Sequence, residues 1–362
     1  MRKALILTGF NPYSVTGGIE TFTQTLIDLL NSSGVNPELA CASGFENAYN
    51  LKHEFIGQVY AAGRSLSALP SDRYKFILCN GYYGGGYFPK KFKTFTVFHS
   101  THAAYAEAIK GLVPLSTYLE IRFIVGELFE QTAASGAKII AVSKSVRCEL
   151  ERYYGLKQVE IIPNPIDAGF FLRLLNKEIL RSKYRIRHDR KVGLFVGRWE
   201  LSKGSDIVQN VIKNLKNLFW IIVTCSGGEA PPANDNVRVL SGLKKEQMLE
   251  IYNLSDFMLF PSRYEGFGLA AAEAMACGLP VIGTPVGFLA EAYSETPFSV
   301  FSIPVSSLDG DDIVMRINDR IDRLFHDRDF YEEISRRSRE LIVKNYNLTI
   351  WHNRMKEILC LS

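Results

Sequence analysis

Short apolar segments alternate with longer amphipathic ones along the first half of the chain. Buried strands are predicted where the chain is almost continuously apolar: residues 3–9, 75–81, 95–100, 138–143 and 159–167. Residues 18–34 have helical spacing of apolar positions and predict a helix that ends near Gly34. Strand–helix alternation of this kind indicates a parallel sheet with helices on both faces.

The same alternation starts again in the second half. Strands are predicted at residues 191–198, 220–227, 237–242, 256–262 and 280–284. Between the halves stands Pro163-Asn164-Pro165, and a residue before proline is pushed to extended geometry, which suits a domain boundary. The pattern predicts an α/β protein of two facing doubly wound domains. In such sheets ligands bind at the carboxyl ends of the strands, so we expect the site in the cleft between the halves.

Composition narrows the class of protein. A chain of 362 residues with 47% apolar and 22% charged residues suits two medium-sized globular domains. A net charge of only +4 argues against nucleic acid as a partner. The six cysteines are scattered without a C-x-x-C pair, which favours reduced thiols in a cytoplasmic protein over a zinc or disulfide framework. No apolar run is long enough for a membrane span, and the apolar N-terminal run predicts a strand, not a signal peptide.

A loop with Gly17 and Gly18 follows the first predicted strand and precedes a helix. Glycines there let the backbone approach a ligand, and a helix start can hold a phosphate. The spacing is not G-x-G-x-x-G, so a dinucleotide site is a weak interpretation. The alternative is a turn that only needs positive φ.

Arg198 and Lys203 occupy a strand-to-helix corner in the second half. Two cations at such a corner could clamp a diphosphate, the arginine as a planar fork and the lysine as a point charge. The alternative is a solvated pair in a loop. For Gly227 and Gly228 we expect a tight turn.

Two histidines follow the predicted strand at residues 95–100. His99 stands at the strand's carboxyl end, where a side chain faces a ligand site, and His102 follows three residues later. A lone histidine is more often structural. No third ligand stands at a suitable spacing, so we predict no metal site.

The stretch from Pro261 to Gly287 places two carboxylates, Glu265 and Glu273, around a Gly-x-Gly turn that starts a short helix ending at Gly278. Both would repel a phosphate, but carboxylates accept hydrogen bonds from hydroxyls and backbone amides donate to them. This turn therefore suits sugar hydroxyls, and the corner at residues 198–203 suits phosphates. Together they predict a nucleotide-sugar site. The alternative for Glu273 is a surface charge near a helix start.

These motifs give the chain a family resemblance. It resembles the retaining glycosyltransferases of family 4, which have the GT-B fold. "EGFGLAAAE" is similar to the family's E-x7-E motif and "GRWELSKG" to its phosphate motif. Weaker similarities are spread along the chain: "NPYSVTGGIE" to the glycine loop, "AVSKSV" and "IIPNPID" to the end of the first domain, and "YNLTIWHNRMKEI" to the last helix.

The resemblance implies three regions. Residues 1–166 would form an acceptor-side Rossmann-like domain, residues 167–345 a Rossmann-like domain that binds the nucleotide sugar, and residues 346–362 a helix that returns to the first domain. Phe288 stands where the family usually has a second glycine, near the expected cleft, and this leaves the sugar and acceptor preferences open.

The resemblance also implies residue roles. The implied catalytic set is His99, Arg198, Lys203 and Glu265. Gly17 and Gly18 would approach the donor, Arg198 and Lys203 would hold its diphosphate, and His99 would lie beside the donor sugar. Glu265 and the amides of Phe267, Gly268 and Leu269 would bind sugar hydroxyls, and Glu273 the ribose.

The expected reaction is transfer of a hexose, with retention, from a UDP or GDP sugar to an acceptor hydroxyl. No side chain is a committed covalent nucleophile, so catalysis would rest on stabilising the leaving diphosphate. We expect no cofactor and no metal. Three alternatives stay open: a sugar-nucleotide epimerase or hydrolase on the same fold, a binding protein without turnover, and, more distantly, an NAD oxidoreductase.

The acceptor is poorly specified by the sequence. Residues 106–131 are unusually apolar for a helical stretch, and residues 88–93 add lysines beside aromatic residues. Together they could contact a membrane face and a lipid-linked acceptor. The alternative is a core helix packed beneath the sheet.

Overall fold

The computed structural model describes residues 2–14, 17–48, 53–70, 72–174, 176–224, 231 and 233–361, with only the backbone of Arg2. The chain forms two compact units. The first comprises Met1–Asn164 and Trp351–Ser362, and the second comprises Pro165–Ile350. The second unit begins close to the division that the sequence predicts after residue 166.

The described strands of the first unit form one parallel sheet. They are β1 Arg2–Thr8, β2 Val35–Cys41, β3 Phe76–Asn80, β4 Thr94–Phe98, β5 Lys138–Ala141 and β6 Val159–Ile161. Their order across the sheet is β2-β1-β3-β4-β5-β6. Strands β3 and β4 are buried along their whole length, as their continuous apolar runs predict.

Strand β2 is absent from the sequence prediction. Its sequence, VNPELAC, mixes polar residues with Pro37, and this combination does not read as a buried strand. The sheet accepts it because β2 pairs only with β1 and lies at the sheet edge, where a proline costs no ladder hydrogen bond on the open side. Lys3 of β1 and Glu38 of β2 add a cross-strand ion pair.

The helices of the first unit connect these strands. They are α1 Gly18–Ser32, α2 Glu54–Ser67, α3 His102–Ala108, α4 Leu115–Leu119, a π-helix Glu120–Glu130, α5 Gln131–Ala134 and α6 Lys144–Tyr154, with 3-10 turns at Ala42–Gly44 and Gly81–Gly84. The α4 helix, the π-helix and α5 follow one another without a break. We call this continuous stretch, residues 115–134, the long helical segment.

The second unit repeats the architecture. Its described strands are β7 Val192–Val196, β8 Phe219–Thr224, β9 Val237–Ser241, β10 Phe257–Phe260 and β11 Val281–Gly283, in the order β11-β10-β7-β8-β9, all parallel. Its helices are α7 Lys177–Lys183, α8 Ser205–Asn214, α9 Lys245–Leu254, α10 Leu269–Ala276, α11 Leu289–Ala292, α12 Ile313–His326 and α13 Arg328–Asn345, with 3-10 turns at Leu201–Lys203, Phe298–Phe301 and Val305–Ser307.

The last helix, α14, spans Leu348–Leu359, and its residues from Trp351 onward belong to the first unit. The Trp351 ring packs edge-on against Phe22 of α1, with 5.5 Å between ring centroids. Lys75 donates a hydrogen bond to the Cys360 carbonyl just beyond the helix.

Strand order identifies one switch point in each sheet. In the second unit the chain leaves β7 toward β8 and leaves β10 toward β11, so the order reverses between β7 and β10. In the first unit it reverses between β1 and β3. At such a point successive connections diverge and leave a crevice at the carboxyl ends of the strands, where α/β proteins bind ligands.

A buried charge cluster joins the amino-terminal ends of β7 and β10. Asp256, just before β10, accepts hydrogen bonds from Lys177 and Arg181 of α7 and from the Val192 amide of β7, all at 2.6–2.7 Å. Although burial opposes ionisation, these two cations hold the pKa of Asp256 below its ordinary value. Helix α7 is thereby attached to the two strands that flank the second switch point.

The prediction of two parallel-sheet α/β domains is confirmed. Among the described residues, no helix is both long enough and apolar enough to span a bilayer. The five cysteines within the described part of the chain are free thiols.

Candidate functional site

At the second switch point an ion pair joins the two motifs that the sequence singles out. Lys203 follows β7, Glu265 follows β10, and Lys203 Nζ lies 2.8 Å from Glu265 Oε1. The same carboxylate oxygen accepts a hydrogen bond from the Ser262 hydroxyl at 3.0 Å. Both charged side chains are largely buried, so each one reduces the cost of desolvating the other.

The backbone on either side of this pair is closely packed. Gly204 has a φ of +74°, and a Cβ there would lie 2.3 Å from the Pro261 carbonyl oxygen. Only glycine allows both this conformation and this approach. The Arg263 amide also donates a hydrogen bond to the Ser202 carbonyl at 2.8 Å. The corner at residues 198–204 therefore lies directly against the end of β10.

Arg263, which sequence reasoning missed, reinforces this contact. Its side chain is only 4% exposed and donates to both carboxylate oxygens of Asp206, at 2.8 Å each, and to Asp309 at 2.7 Å. A further hydrogen bond reaches the Leu201 carbonyl at 2.7 Å. One buried guanidinium thus connects the corner, the start of α8 and the loop that precedes α12. An arginine between the end of an apolar strand and Glu265 is the signal that could have identified it.

The amides of Phe267, Gly268 and Leu269 stand at the start of α10. No described residue accepts a hydrogen bond from any of these three amides, and α10 has no side-chain cap. The first N–H groups of a helix lack partners within the helix and attract anions or hydroxyl oxygens. The turn therefore presents three backbone donors beside the Lys203–Glu265 pair.

Aromatic packing holds this turn in place. Phe267 is buried, and its ring lies 5.2 Å from Phe288 and 5.7 Å from Tyr346, measured between centroids. Gly287 has a φ of +58°, and a Cβ there would lie 2.2 Å from the Phe267 carbonyl oxygen. The Phe288 amide donates to the same carbonyl at 2.9 Å.

Glu273 lies within α10 and is partly buried. Its Oε2 accepts a hydrogen bond from the Tyr252 hydroxyl of α9 at 2.8 Å. Burial raises the pKa of Glu273 to about 7, against the opposing effects of the Tyr252 hydrogen bond and the charge of Lys245. The alternative of a surface charge at a helix start is wrong, because Glu273 is not in the first turn of α10.

Arg198 has a more open environment than Lys203. Its side chain is 61% exposed, against 19% for Lys203, and forms an ion pair of 3.1 Å with Glu200. Arg198 thus resembles the solvated alternative, whereas Lys203 is held by Glu265.

The remaining predicted residues lie near the carboxyl ends of the strands of the first unit. His99 follows β4, and its Nε2 lies 3.0 Å from Asn80 Oδ1 at the end of β3. Asn80 donates in turn to the Thr23 hydroxyl of α1 at 2.9 Å, which makes the Asn80 oxygen the acceptor for the His99 ring. His99 Nδ1 is buried and has no hydrogen-bond partner among the described residues. Burial lowers the pKa of His99 to about 3, so the ring is neutral.

Comparison with known proteins decides the family. The model for glycosyltransferase family 4 matches residues 16–170, and the model for glycosyl transferases group 1 matches residues 176–341. The two matches follow each other along the chain and together span most of it.

The chain belongs to the family 4 glycosyltransferases. Its curated relatives include a D-inositol 3-phosphate glycosyltransferase of Xylanimonas cellulosilytica, 28% identical over 186 residues, which are 46% of this chain and 44% of that protein. An uncharacterised glycosyltransferase of Methanocaldococcus jannaschii is 34% identical over 172 residues, 45% of this chain and 44% of that protein. The chain therefore spans less than half the length of these relatives.

Solved structures share the GT-B fold with this chain. Sucrose-phosphate synthase from Thermosynechococcus elongatus superposes with a TM-score of 0.76 at 19% identity, over 99% of this chain and 98% of that one. WaaG, a glycosyltransferase involved in lipopolysaccharide biosynthesis, gives a TM-score of 0.71 at 17% identity, over 99% of both chains.

Two details of this family 4 chain differ from what the motifs suggest. Gly17 has a φ of −177°, so the alternative of a turn that needs positive φ is wrong at that position; Gly18 begins α1. Phe288 is fully buried against Phe267 and Tyr346, so its ring supports the turn from within and does not line a cleft.

The structure groups the predicted residues by unit. Lys203, Glu265 and the three amides come together at the second switch point, whereas Gly17, Gly18 and His99 belong to the first unit. Gly227 and Gly228 lie outside the described residues. Within the described ranges, no three histidine, cysteine or acidic side chains are grouped in a way that could hold a metal ion.

The raised pKa of Glu273 makes a prediction about stability. Between pH 4.5, the ordinary pKa, and pH 7 the unfolded chain loses the Glu273 proton while the folded chain keeps it. Rising pH in this range therefore destabilises the wild type relative to Glu273→Gln, which carries no charge. Urea midpoints measured from pH 5 to 8 for both proteins should diverge as pH rises. The exposed Glu246→Gln serves as control, and equal pH slopes for all three proteins would show that burial does not shift Glu273.

Proposed function

We propose that this protein is a retaining hexosyltransferase that uses a nucleoside diphosphate sugar as donor and an acceptor hydroxyl as nucleophile. Its product would be a polysaccharide, glycolipid or other glycoconjugate. One observation carries the proposal: Lys203, Glu265 and three unpaired backbone amides meet at the switch point of the second sheet. A cation, a carboxylate and backbone donors together suit a ligand that contains both a diphosphate and sugar hydroxyls.

In this proposal the bound donor replaces the contact between Lys203 and Glu265, and each of the two side chains binds a group of the donor instead. Lys203 and the exposed Arg198 donate to the diphosphate oxygens, the arginine as a planar fork and the lysine as a point charge. Glu265 accepts hydrogen bonds from hydroxyls of the transferred hexose. The amides of residues 267–269 donate to hydroxyl oxygens of the same sugar, and the positive end of α10 favours the nearby phosphates.

Glu273 is proposed to bind the two ribose hydroxyls of the nucleotide. Its Oε2 is occupied by the Tyr252 hydroxyl, and Oε1 has no hydrogen-bond partner among the described residues. A carboxylate held from one side in this way is oriented before the ligand arrives.

Catalysis in this proposal is electrostatic. The bond between the anomeric carbon and the diphosphate oxygen breaks, and the nucleoside diphosphate leaves with the electron pair. The acceptor oxygen forms the new bond to the anomeric carbon and passes its proton to the departing diphosphate oxygen. Lys203 and Arg198 stabilise the charge that develops on the leaving diphosphate, so no metal ion and no cofactor is needed. By family resemblance, Gly17, Gly18 and His99 are also assigned to the donor.

Ligands bound in a structure of the same fold support the donor class. HepE of Anabaena was solved with UDP-glucose and with UDP and glucose. Its likeness to this chain, 15% identity at a TM-score of 0.71, is one of fold. We therefore propose a UDP or GDP sugar and leave the base open.

Two alternatives share this site. A sugar-nucleotide epimerase or hydrolase would consume the donor without joining the sugar to another hydroxyl. A binding protein without turnover would hold the donor unchanged. Mass spectrometry of the products formed from UDP-glucose or GDP-mannose, with and without an added acceptor, separates all three.

Calorimetric titration should show that loss of the two glutamates affects different ligands. At pH 8, where Glu273 is ionised, Glu273→Ala should weaken the donor and the bare nucleoside diphosphate alike, because both carry the ribose. Glu265→Ala should weaken the donor and spare the bare nucleotide. Hydrogen bonds to charged groups are worth about 1.5–3 kcal/mol, so each loss should be roughly 10- to 150-fold.

Glu246→Ala, an exposed glutamate on α9, provides the matched control and should bind both ligands as the wild type does. If Glu265→Ala weakens the bare nucleotide as much as the donor, while Glu273→Ala changes neither, the two assignments are wrong.

A second proposal concerns the membrane. Five large apolar side chains of the long helical segment are exposed, and this favours the proposal over the alternative of a buried core helix: Leu115, Leu119, Phe123, Ile124 and Leu128. Lys90 donates to the Thr132 carbonyl of this segment at 2.8 Å, which places the basic stretch at residues 88–93 beside it. Phe88 of that stretch is also exposed. Apolar side chains next to lysines suit the surface of an anionic membrane.

We therefore propose that the protein works in the cytoplasm, on the cytoplasmic face of a membrane, with a sugar or lipid-linked acceptor. The wild type should sediment with phosphatidylglycerol vesicles, and more weakly with phosphatidylcholine. The double variant Leu119→Glu/Leu128→Glu should lose this binding. It replaces two apolar side chains, which the membrane would cover, with negative charges that anionic lipid repels. Met315→Glu, an exposed apolar position on α12, is the control. Equal sedimentation of all three proteins would contradict the proposed surface.

A further inference from the structure

A cavity of about 220 Å³ lies within the second unit, at the end of the sheet opposite to the Lys203–Glu265 pair. Its wall includes Ser255, just before β10, and Leu279, just before β11, whereas Lys203 and Glu265 follow β7 and β10. Helices α9 and α13 and the chain that leads into α7 complete the wall. The cavity therefore lies at the amino-terminal ends of the strands and is separate from the proposed donor site.

The surroundings of the cavity carry more positive than negative charge. Arg173 and Lys177 line it, and Arg181 shares the carboxylate of Asp256 with Lys177. Within the described part of the unit, only Asp256 and Glu332 form ion pairs with these three cations. The cations thus exceed the carboxylates by one positive charge, and this excess favours a small anion.

Both lining cations have N–H groups to spare. Lys177 Nζ donates to Asp256 Oδ1 and to the Ser255 carbonyl, each at 2.7 Å, so the third hydrogen of its ammonium group has no acceptor among the described residues. Arg173 uses two of its five N–H groups on Glu332, at 2.7 and 3.1 Å. A planar fork and a point charge in one wall suit the several oxygens of a phosphate group.

Helix α10 connects the cavity to the proposed donor site. The amides of residues 267–269 stand at its start, and Cys277 and Gly278 line the cavity at its other end. Glu273 is one turn away from Cys277, whose amide donates to the Glu273 carbonyl at 3.1 Å. Tyr252 makes a second connection, because it lines the cavity and its hydroxyl donates to Glu273 Oε2 at 2.8 Å. An anion in the cavity is therefore close enough to act on the charge of Glu273.

We propose that this cavity is a regulatory site for a phosphate group, and that its occupation weakens nucleotide binding at Glu273. The phosphate group belongs either to the free ion or to a small phosphomonoester. Its negative charge opposes the ionisation of Glu273, and the ionised carboxylate is the form that accepts hydrogen bonds from both ribose hydroxyls. The inference rests on the proposed ribose contact and adds a ligand and a mode of regulation to it.

Calorimetry at pH 7 and constant ionic strength measures the two ligands separately and together. Inorganic phosphate and glycerol 3-phosphate are the probes for the cavity, glycerol is their uncharged control, and UDP and GDP are the nucleotides. The nucleotide Kd should rise on the order of 3- to 10-fold with added phosphate and then level off, because both ligands bind at once. A Kd that rises in proportion to phosphate without limit would show competition for one site and would overturn the proposal.

Two variants should change phosphate binding in opposite directions. Arg173→Gln removes the fork and should weaken binding about 5- to 30-fold, whereas Glu332→Gln frees the fork and should strengthen it about 2- to 5-fold. Both side chains are exposed, by 43% and 46%, so their replacement leaves the core intact. Arg187→Gln, which breaks the exposed ion pair with Asp189, is the matched control and should bind phosphate as the wild type does.

Glu273→Gln tests the connection between the two sites. Its amide carries no charge, so phosphate should still bind in the cavity but should no longer change the nucleotide Kd. Coupling of wild-type size in this variant would overturn the connection through Glu273.

The outcomes separate this inference from the proposed function. If neither UDP nor GDP binds the wild type, the proposed function fails. If a nucleotide binds but phosphate does not, or if phosphate binds all the variants equally, the regulatory site is wrong. Binding of inorganic phosphate alone would identify the free ion as the occupant, and tighter binding of glycerol 3-phosphate would identify a phosphomonoester. Equal binding of glycerol would overturn the choice of an anion.

Discussion

Lys203 and Glu265 lie 2.8 Å apart at the ends of adjacent strands, and the site of the second unit depends on that contact. It is possible only because the corner after β7 lies against the end of β10. Gly204 removes the side chain that would strike Pro261, and Arg263 joins the corner to the start of α8 and to the loop before α12 by four hydrogen bonds. Each partner offsets the desolvation of the other, so the pair keeps two charges available in a largely buried place.

Two carboxylates of this chain show how neighbouring groups determine the pKa of a buried acid. Asp256 is buried between Lys177 and Arg181, and its pKa falls. Glu273 accepts a hydrogen bond from the hydroxyl of Tyr252 and has no ion pair with any described residue, and burial raises its pKa. An acid between two cations is stabilised in its charged form, whereas a buried acid held by a neutral donor is harder to ionise.

A similar arrangement recurs in the first unit. Glu130 is held by the Tyr154 hydroxyl there, as Glu273 is held by Tyr252 in the second. In both cases a tyrosine hydroxyl donates a hydrogen bond to a buried or half-buried carboxylate near the carboxyl ends of the strands. The two carboxylates differ in their further partners: Glu130 also binds His102, whereas Glu273 has no second hydrogen-bond partner among the residues that the structure describes.

Hydrophobic periodicity was sufficient to predict most of the fold. Strands such as β3 and β4 are fully buried, so their apolar runs are unbroken and easily recognised. Strand β2 could not be predicted, because an edge position tolerates Pro37 and polar residues that a central strand excludes.

For the site, sequence patterns predicted the charged residues and missed the residues that hold them. Glu265, Glu273 and Lys203 stand in short motifs with a recognisable spacing. Arg263 and Tyr252 act through partners 57 and 21 positions away in the chain, and no local pattern reveals such pairs. Phe288 shows the same limit, since its place under the turn depends on Tyr346 near the end of α13.

The central claim is that the Lys203–Glu265 switch point binds the donor. The most direct measurement is a crystal structure of the protein with UDP or GDP bound. Diphosphate oxygens should lie within hydrogen-bond distance of Lys203 and Arg198, and the ribose hydroxyls should bind Glu273. A nucleotide bound elsewhere in the second unit, such as the cavity of about 220 Å³ lined by Arg173, Lys177 and Ser335, with the Lys203–Glu265 pair unaltered, would contradict it.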